Sequence, residues 1–189
     1  MKTPVTATQV ARFCDLLTNG KNIADFEGSR NGLQHKGTRP VRKVGAAVDA
    51  GAAVFTEAAR RGVDFLIVHH GMYWRPVSPE REVRALRKAA LKKTGLSLYS
   101  SHLPLDAHPA IGNNALIAQD LGLKVVDWFV DYEGLPIACI CRGISRRTLR
   151  KRLKASYPQT YKGIEFGSAQ PKKVAILSGS GRSALGHLK

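Results

Sequence analysis

Apolar residues recur along the chain first at helical spacing and then in short strand-like runs. Between residues 6 and 17 they fall three or four positions apart, which predicts an amphipathic first helix that packs by one face. The apolar residues on that face are Val10, Phe13, Cys14 and Leu17. Residues 20–37 are rich in Gly, Asn and charged residues, so an irregular or hairpin segment is expected there.

From residue 41 the pattern alternates between apolar runs of strand length and amphipathic helical stretches. The predicted strands are 41–48, 65–68, 96–100 and 124–130, and the predicted helices are 52–61, 78–94 and 113–121. Ser78 is the expected N-cap of the helix 78–94. The side chains expected to face inward are Val54, Phe55, Ala58 and Ala59 in the first helix and Val83, Leu86, Ala90 and Leu91 in the second. This alternation is typical of β-α-β units and predicts an α/β protein with a mostly parallel sheet flanked by helices.

The composition shifts at residue 134, which predicts a division into two domains. Residues 1–133 form the predicted α/β domain with the histidine motifs, and residues 134–189 form a second, basic α/β segment. The elements predicted in the second segment are a strand at 137–141, a helix at 146–155 capped by Ser145, a candidate strand at 161–166 and a strand at 174–177.

The positive charge of the chain is concentrated in its C-terminal third. The formal net charge is +16, and residues 142–173 contain ten Lys or Arg against a single acid, Glu165. The basic helix supplies a candidate phosphate or nucleic-acid surface formed by Arg146, Arg147, Arg150, Lys151, Arg152 and Lys154. The alternative is a solvated face of a generally basic protein, which is favoured because no aromatic-rich stacking platform accompanies the charge.

Other features of the sequence bear on where the protein acts. No apolar run approaches the roughly 20 residues that a membrane-spanning helix needs, and residues 1–10 lack the apolar core of a signal peptide. Cys139 and Cys141 stand two apart in an apolar run, which predicts small buried side chains on one face of a strand. An odd total of three cysteines suggests a reducing compartment, so we expect a cytoplasmic protein with no membrane partner.

Histidines follow two of the predicted strands. His69 and His70 come directly after the strand 65–68, and His102 follows the strand 96–100. The carboxyl ends of parallel strands meet at one edge of a sheet, so these segments are expected to come together. Imidazoles there, with the carboxylate of Asp106, suit a pair of divalent metal ions. For Asp106 an ordinary turn or cap position is an equal alternative.

Four sequence segments, in order, closely resemble the YbgI-like, or Nif-three-like, dinuclear metal proteins. They read Asn-Gly-Leu-Gln at 31–34, Val-Asp-Ala at 48–50, Asp-Phe-Leu-Ile-Val-His-His-Gly-Met-Tyr-Trp at 64–74 and Tyr-Ser-Ser-His-Leu-Pro-Leu-Asp at 99–106. Gly-Asn-Asn at 112–114 and the glycine-rich residues 178–181 extend the match. Members of this family are often labelled homologues of the second type of GTP cyclohydrolase I.

The resemblance implies a Nif-three-like α/β fold, a toroidal homo-hexamer and two divalent ions in each subunit, drawn from Zn, Fe, Mn, Ni or Mg. By position, His69 and His70 match the paired histidine ligands, and Asp106 matches the bridging aspartate. His102 matches a histidine of the same motif, which implies a position beside the metal ligands or facing the substrate, or direct ligation in some members.

This sequence departs from the family pattern at its C-terminal end. The family completes its metal site with a His and a Glu four residues apart, tens of residues beyond the glycine-rich turn, and residues 1–189 do not reach them. We therefore expect the C-terminal part of the fold to be incomplete, as a fragment or, less favoured, a naturally shortened relative. Three protein ligands shared between two ions predict weak binding or a single metal.

Two hypotheses about function remain open. The first is a metal-dependent hydrolase with a dinuclear site formed by His69, His70 and Asp106. The second is a non-catalytic metal-binding or nucleic-acid-associated ring scaffold that uses the basic surface of residues 142–173. The sequence contains no phosphate-binding loop or guanine-reading motif, so the GTP cyclohydrolase label is doubtful and the small-molecule substrate stays undefined.

Overall fold

The computed structural model describes residues 4–73, 80–132, 134–179 and 186, which form two compact units. The first unit is Met1–Leu105 and the second is Asp106–Lys189. This division differs from the predicted boundary at 133/134, because the strand that ends at Tyr132 pairs with the strand that begins at Leu135. Among the described residues, every helix is too short or too polar to span a bilayer.

The first unit contains a four-stranded sheet with helices on both faces. Its elements are α1 (Ala7–Thr18), β1 (Gly32–His35), β2 (Val44–Asp49), α2 (Ala52–Arg60), β3 (Phe65–His70), α3 (Glu80–Thr94) and β4 (Ser97–Ser100), followed by the short helix α4 (Leu103–Asp106), which reaches the second unit. The strand order is β1-β4-β3-β2, with β2, β3 and β4 parallel and β1 antiparallel to β4. The α/β class and the flanking helices are therefore confirmed.

Alternate residues of β3 build the two faces of this sheet. Leu66 and Val68 join the core formed with α2 and α3, whereas Phe65 and Ile67 pack with α1. Both faces of the strand are covered, which explains why its sequence is a continuous apolar run. The four inward-facing residues predicted for α2 all pack in the first of these cores.

The predicted inward faces of α1 and α3 are partly wrong. Helix α1 packs through Ala7 and Ala11, with Val10 and Cys14 beside them, while Phe13 and Leu17 are exposed. The small alanine side chains allow close approach to the sheet, and this turns the larger residues outward. In α3, Leu91 is buried and Ala90 packs against the core as predicted, but Val83 and Leu86 are exposed. The predicted cap Ser78 lies outside the described residues.

The segment 20–37, predicted to be irregular or a hairpin, contributes a strand to the sheet. Within it, β1 pairs with β4, with a register irregularity between Leu33 and His35. A four-residue strand with Gly32 and Gln34 has no apolar alternation, so local patterning does not reveal it.

The second unit contains a three-stranded sheet. Its elements are α5 (Asn113–Asp120), β5 (Val125–Tyr132), β6 (Leu135–Arg142), α6 (Arg146–Ser156) and β7 (Lys173–Ile176). The strand order is β5-β6-β7 and both pairings are antiparallel, so the expectation of parallel strands holds only for the first sheet. Only two residues, 133 and 134, separate β5 from β6, and so short a connection permits only antiparallel pairing.

Helices α5 and α6 pack against this antiparallel sheet. Leu149 and Leu153 of α6 contact the core that contains Cys139 and Cys141. Burial raises the pKa of Cys139 to about 12 and also raises the pKa of Cys141, as expected for inert core thiols. Ser145 caps α6 as predicted, because its Oγ accepts the Thr148 N–H at 3.1 Å. The candidate strand at 161–166 is not formed.

Candidate metal centre

Two adjacent histidines lie at the carboxyl end of β3, an interior strand of the first sheet. His69 and His70 are the last residues of β3, which runs two residues further than the predicted strand 65–68. In register, Val68 pairs with Ser100 of β4, and His70 pairs with Asp49 of β2. The carboxyl ends of these parallel strands therefore lie side by side, which is where sites assemble in α/β sheets.

Three imidazoles meet at this edge of the sheet. The ring centroid of His69 lies 4.6 Å from that of His70 and 4.9 Å from that of His102, and the remaining pair is 5.6 Å apart. Potential ligand atoms of the three residues all lie within 4.8 Å of one another. The expected meeting of the two histidine segments is confirmed, and His102 joins the cluster as a third candidate ligand.

Each imidazole is oriented by an oxygen acceptor at its Nδ1 atom. Nδ1 of His69 lies 3.0 Å from the carbonyl oxygen of Ser101, and Nδ1 of His70 lies 2.8 Å from Oδ1 of Asp49. The Nδ1 atom of His102 lies 2.7 Å from Oδ1 of Asp25. A neutral imidazole that donates from Nδ1 carries its lone pair on Nε2, so these contacts select the tautomer in which Nε2 can bind a metal.

The contact between His102 and Asp25 is the most buried of the three. The two side chains are only 7% and 5% exposed. Oδ2 of Asp25 accepts N–H groups from the Asn31 side chain at 2.8 Å and from the Leu103 backbone at 3.1 Å. Burial by itself would raise the pKa of Asp25, but the hydrogen bonds from His102, Asn31 and Phe26 outweigh it, and the pKa is lowered. Asp25 is therefore held as a carboxylate, and its Oδ1 accepts a hydrogen bond from Nδ1 of His102.

Asp106 is the first residue of the second unit, and its side chain is fixed within that unit. Its Oδ1 accepts the Asn113 side-chain N–H at 2.7 Å and the Ser178 hydroxyl at 2.9 Å. Asn114 donates to the Asp106 carbonyl at 3.2 Å, and its own Oδ1 accepts the Ser178 backbone N–H at 2.6 Å. Asp106 is 8% exposed. These contacts define the direction of the carboxylate.

The remaining described histidines lie outside the three-imidazole cluster. His35 is in β1, where burial and the charges of Lys92 and Lys88 lower its pKa. Nδ1 of His108 lies 3.2 Å from the backbone nitrogen atoms of both Ala110 and Ile111, which makes it part of a turn. His187 lies outside the described residues.

The donor set suits a divalent transition metal. Neutral imidazole nitrogen is a common ligand of Zn, Fe, Ni and Cu, and metal-bound histidines generally donate their second N–H to a carboxylate or a carbonyl group. All three histidines show that second contact. The spacing of their potential ligand atoms suits either one shared ion or two ions about 3.5–4 Å apart.

Comparison with known proteins identifies the family. Residues 6–189 match the family described as Duf34/NIF3 (NGG1p interacting factor 3). The chain belongs to the Duf34/NIF3 family. The resemblance inferred from the four sequence segments is therefore confirmed.

Individual Duf34/NIF3 relatives show how much of the fold is shared. The chain is 37% identical over 172 residues to a protein of Pyrococcus horikoshii named GTP cyclohydrolase 1 type 2 homolog, covering 87% of this chain and 68% of the relative. The crystal structure of TTHA1606 from Thermus thermophilus superposes with a TM-score of 0.82 at 34% identity, covering 98% and 75%. A structure of protein ybgI gives 0.82 at 31% identity, covering 95% and 72%. The chain thus spans about two thirds to three quarters of these relatives.

The structure adds residues to the site that the sequence reasoning did not assign. Asp25 lies in the segment expected to be irregular, and no periodicity marks it as the partner of His102. Asn31 and Asp49 fall in the segments that carry the Duf34/NIF3 resemblance, but only the structure shows that they contact His102 and His70. Their roles depend on contacts across 21 to 77 residues of sequence, and short-range spacing does not report such contacts.

Proposed function

We propose that this Duf34/NIF3 chain provides a divalent-metal centre of a metal-dependent hydrolase, with His69, His70 and Asp106 as metal ligands. His102 serves as a further ligand or faces the substrate. The observation that carries the proposal is the group of three imidazoles, each oriented at Nδ1 by an oxygen acceptor. Such outer contacts are the usual companions of metal-binding histidines.

Different residues of the chain have different roles in the proposed metal centre. A divalent ion, when bound, supplies positive charge that polarises a substrate oxygen and acidifies water. Ser101 and Asp49 keep the Nε2 lone pairs of His69 and His70 available, and Asp25 does the same for His102. Asn113 and Ser178 hold the Asp106 carboxylate in one orientation. Preorganised ligands avoid the entropy cost of ordering them on binding.

The number of metal ions and the assembly that we propose are those that the family resemblance implies. We propose two divalent ions in a complete site, and weak or single-metal binding for residues 1–189 alone, because three protein ligands are few for two ions. The assembly proposed is a homo-hexamer in the cytoplasm. Relatives carry the name GTP cyclohydrolase 1 type 2 homolog, but the sequence lacks a phosphate-binding loop, so GTP is not proposed as the substrate.

The first test measures metal content. His69→Ala and Asp106→Ala should each lower the bound Zn or Mn per chain at least about tenfold, since losing even an outer contact of a metal site costs about 10- to 100-fold in affinity. His35→Ala is the matched control, because His35 lies outside the cluster, and it should retain the wild-type metal content. Elemental analysis after dialysis gives the metal content, and circular dichroism verifies folding. Unchanged metal content in folded His69→Ala would show that the ligand assignment is wrong.

A second test separates the hydrolase from a non-catalytic metal-binding scaffold. The metal-loaded chain is assayed on phosphate-ester and amide substrates with and without a chelator. Hydrolysis that disappears both with chelator and in His69→Ala supports the enzyme. Stoichiometric metal binding with no turnover on any substrate supports the scaffold.

A further inference from the structure

Helix α6 carries six Lys or Arg side chains in eleven residues, and the structure separates them by role. Nη1 of Arg152 donates to the carbonyl oxygens of Leu121 at 2.7 Å and Gly122 at 3.0 Å. These carbonyls end helix α5, so Arg152 has a structural role. We therefore remove Arg152 from the candidate phosphate surface that the sequence indicated.

A second group of basic residues faces the segment 161–167, which follows α6 in the chain. Arg150 forms an ion pair with Glu165, the one acid in this region. The ammonium group of Lys154 lies 5.7 Å from the centroid of the Tyr161 ring, within the range of a cation–π contact. These contacts hold the segment against the helix even though it forms no regular secondary structure.

A groove of about 390 Å³ is lined by residues of both α6 and this segment. Arg146 and Lys162 are among the residues that line it. Nη1 of Arg146 also donates to the carbonyl oxygen of Gly167 at 3.1 Å, which anchors the end of the segment. The groove is thus bordered by cations on both sides.

The third group consists of Arg147 and Lys151, one helical turn apart. Both side chains are exposed, and neither forms a hydrogen bond or an ion pair with any residue in the described part of the chain. Their charges are therefore available to a ligand. Two unneutralised cations at this spacing repel each other weakly and are relieved when an anion binds.

Two large apolar side chains of the segment 161–167 are exposed beside α6. Ile164 is 97% exposed and Phe166 is 91% exposed, and both line the groove beside α6. Phe166 is almost fully exposed, and the half-buried Tyr161 lines the same groove, so this groove offers ring faces that a planar group can cover. These rings form a stacking platform. The sequence pattern did not reveal it, and for that reason the sequence favoured a solvated face.

The combination of ring faces and cations selects the chemistry of the ligand. A single nucleic-acid strand supplies both phosphates and unpaired planar bases, whereas a duplex hides the base faces. An anionic membrane would need an apolar helix face to enter it. The apolar stripe of α6, Leu149 and Leu153, is instead packed against the core of the second unit. A single strand therefore uses every exposed feature of this surface.

We propose that α6 and the segment 161–167 form a binding surface for single-stranded nucleic acid. In this arrangement Phe166 and Tyr161 stack on bases, and Arg147 and Lys151 contact phosphates. The interaction involves no covalent step, and it is separate from the metal function proposed for the histidine cluster.

The test uses the full chain and a fluorescein-labelled thymidine homopolymer of about 20 nucleotides, long enough to cover a single-strand site. Fluorescence anisotropy gives Kd between about 50 and about 200 mM NaCl. Phe166→Ala should weaken binding about 5- to 150-fold, the effect of losing one base–aromatic stack. The double variant Arg147→Ala/Lys151→Ala should make the slope of log K against log salt less negative by about 1.4, or about 0.7 per phosphate contact.

Matched controls come from the first unit. Lys88→Ala/Lys92→Ala removes two exposed cations at the same helical spacing from α3, and Phe13→Ala removes an exposed phenylalanine from α1. Both should leave Kd within about twofold of wild type, because neither change removes a residue of α6 or of the segment 161–167. Circular dichroism confirms that every variant is folded.

Each of several results would overturn the proposal. One is unchanged affinity in folded Phe166→Ala. Another is an equal loss of affinity in the α3 double variant, which would mean binding by net charge alone. Duplex DNA of the same length bound as tightly as the single strand would remove the role of stacking. Phe166-dependent binding to phosphatidylserine vesicles, without binding to the oligonucleotide, would assign the surface to membranes.

Discussion

Asp25 is the residue on which the geometry of His102 most depends. Its buried carboxylate is surrounded by four N–H donors, from His102, the Asn31 side chain, and the backbones of Phe26 and Leu103. An asparagine at this position has only one acceptor oxygen, and its amide N–H groups would face donors. A buried donor left without an acceptor costs about 1–3 kcal/mol.

We predict that Asp25→Asn weakens divalent-metal binding about 10- to 100-fold, the usual cost of losing an outer partner of a metal-binding histidine. The loss follows because His102 is no longer held in the tautomer that keeps its lone pair on Nε2. Titration of Zn²⁺ against a chromophoric chelator measures the change. Asp120→Asn makes the same chemical change at an exposed position of α5 and should bind the metal like wild type. Equal Zn²⁺ affinity of Asp25→Asn and wild type would contradict the positioning role.

The metal-site histidines show what single residues reveal in a sequence. His69 and His70 were identifiable because they directly follow an apolar run, and such a run predicts a buried strand from local information. Asp25 carries no such mark, since a carboxylate in a glycine-rich segment is usually solvated. Its burial depends on the return of the chain 77 residues later, at His102.

Helix α6 shows that an element can be predicted correctly while the roles of its side chains are not. The Ser145 cap was predicted and is observed, and Leu149 and Leu153 pack against the core of the second unit. The sequence also grouped Arg152 with the exposed cations, although its guanidinium contacts the end of α5. On a helix, residues three or four positions apart share a face, but which neighbouring element each face meets is a tertiary property.

We predict that Arg152→Ala lowers the free energy of unfolding by about 1 kcal/mol, because two carbonyl groups at the end of α5 lose a charged donor. Lys151→Ala, one position earlier and exposed, should change it by less than about 0.5 kcal/mol. Urea unfolding followed by circular dichroism measures both. A larger effect of Lys151→Ala than of Arg152→Ala would show that the assignment of Arg152 to α5 is wrong.

At the scale of the whole molecule, the net charge of +16 at pH 7 lowers the stability of the folded state. Like charges repel more strongly in the compact state than in the expanded unfolded chain. Salt screens this repulsion, with a Debye length of about 30 Å at 0.01 M and about 8 Å at 0.15 M. The described ion pairs, such as those of Glu57 with Arg60 and Arg61, are mostly exposed and offset little of it.

We therefore predict that raising NaCl from about 10 to about 150 mM at pH 7 increases Tm by several degrees, about 2–4 °C for each kcal/mol gained. Near the isoelectric point, about pH 10.2, the same change in salt should have a much smaller effect, because the net charge approaches zero. Differential scanning calorimetry at the two pH values makes the comparison. A decrease of Tm with salt at pH 7 would mean that attractive ion pairs outweigh the repulsion.

The sequence by itself determined the features that depend on local spacing. These include strands β2 to β6, helices α2, α5 and α6, the two histidine segments and membership of the Duf34/NIF3 family. Apolar periodicity reports them because the period of a helix or strand is set within a few residues, and the covered faces follow from it.

The tertiary structure alone decided the features that depend on which segments meet. It turned Phe13 outward on α1, added β1 to the sheet, made the second sheet antiparallel and placed Asp25 against His102. Apart from the β5–β6 hairpin, each of these is a contact between segments distant in the chain. Burial and hydrogen bonding there select among faces that local patterning does not distinguish. The sequence therefore defines the elements and the candidate ligands, and long-range packing defines the orientation of those ligands.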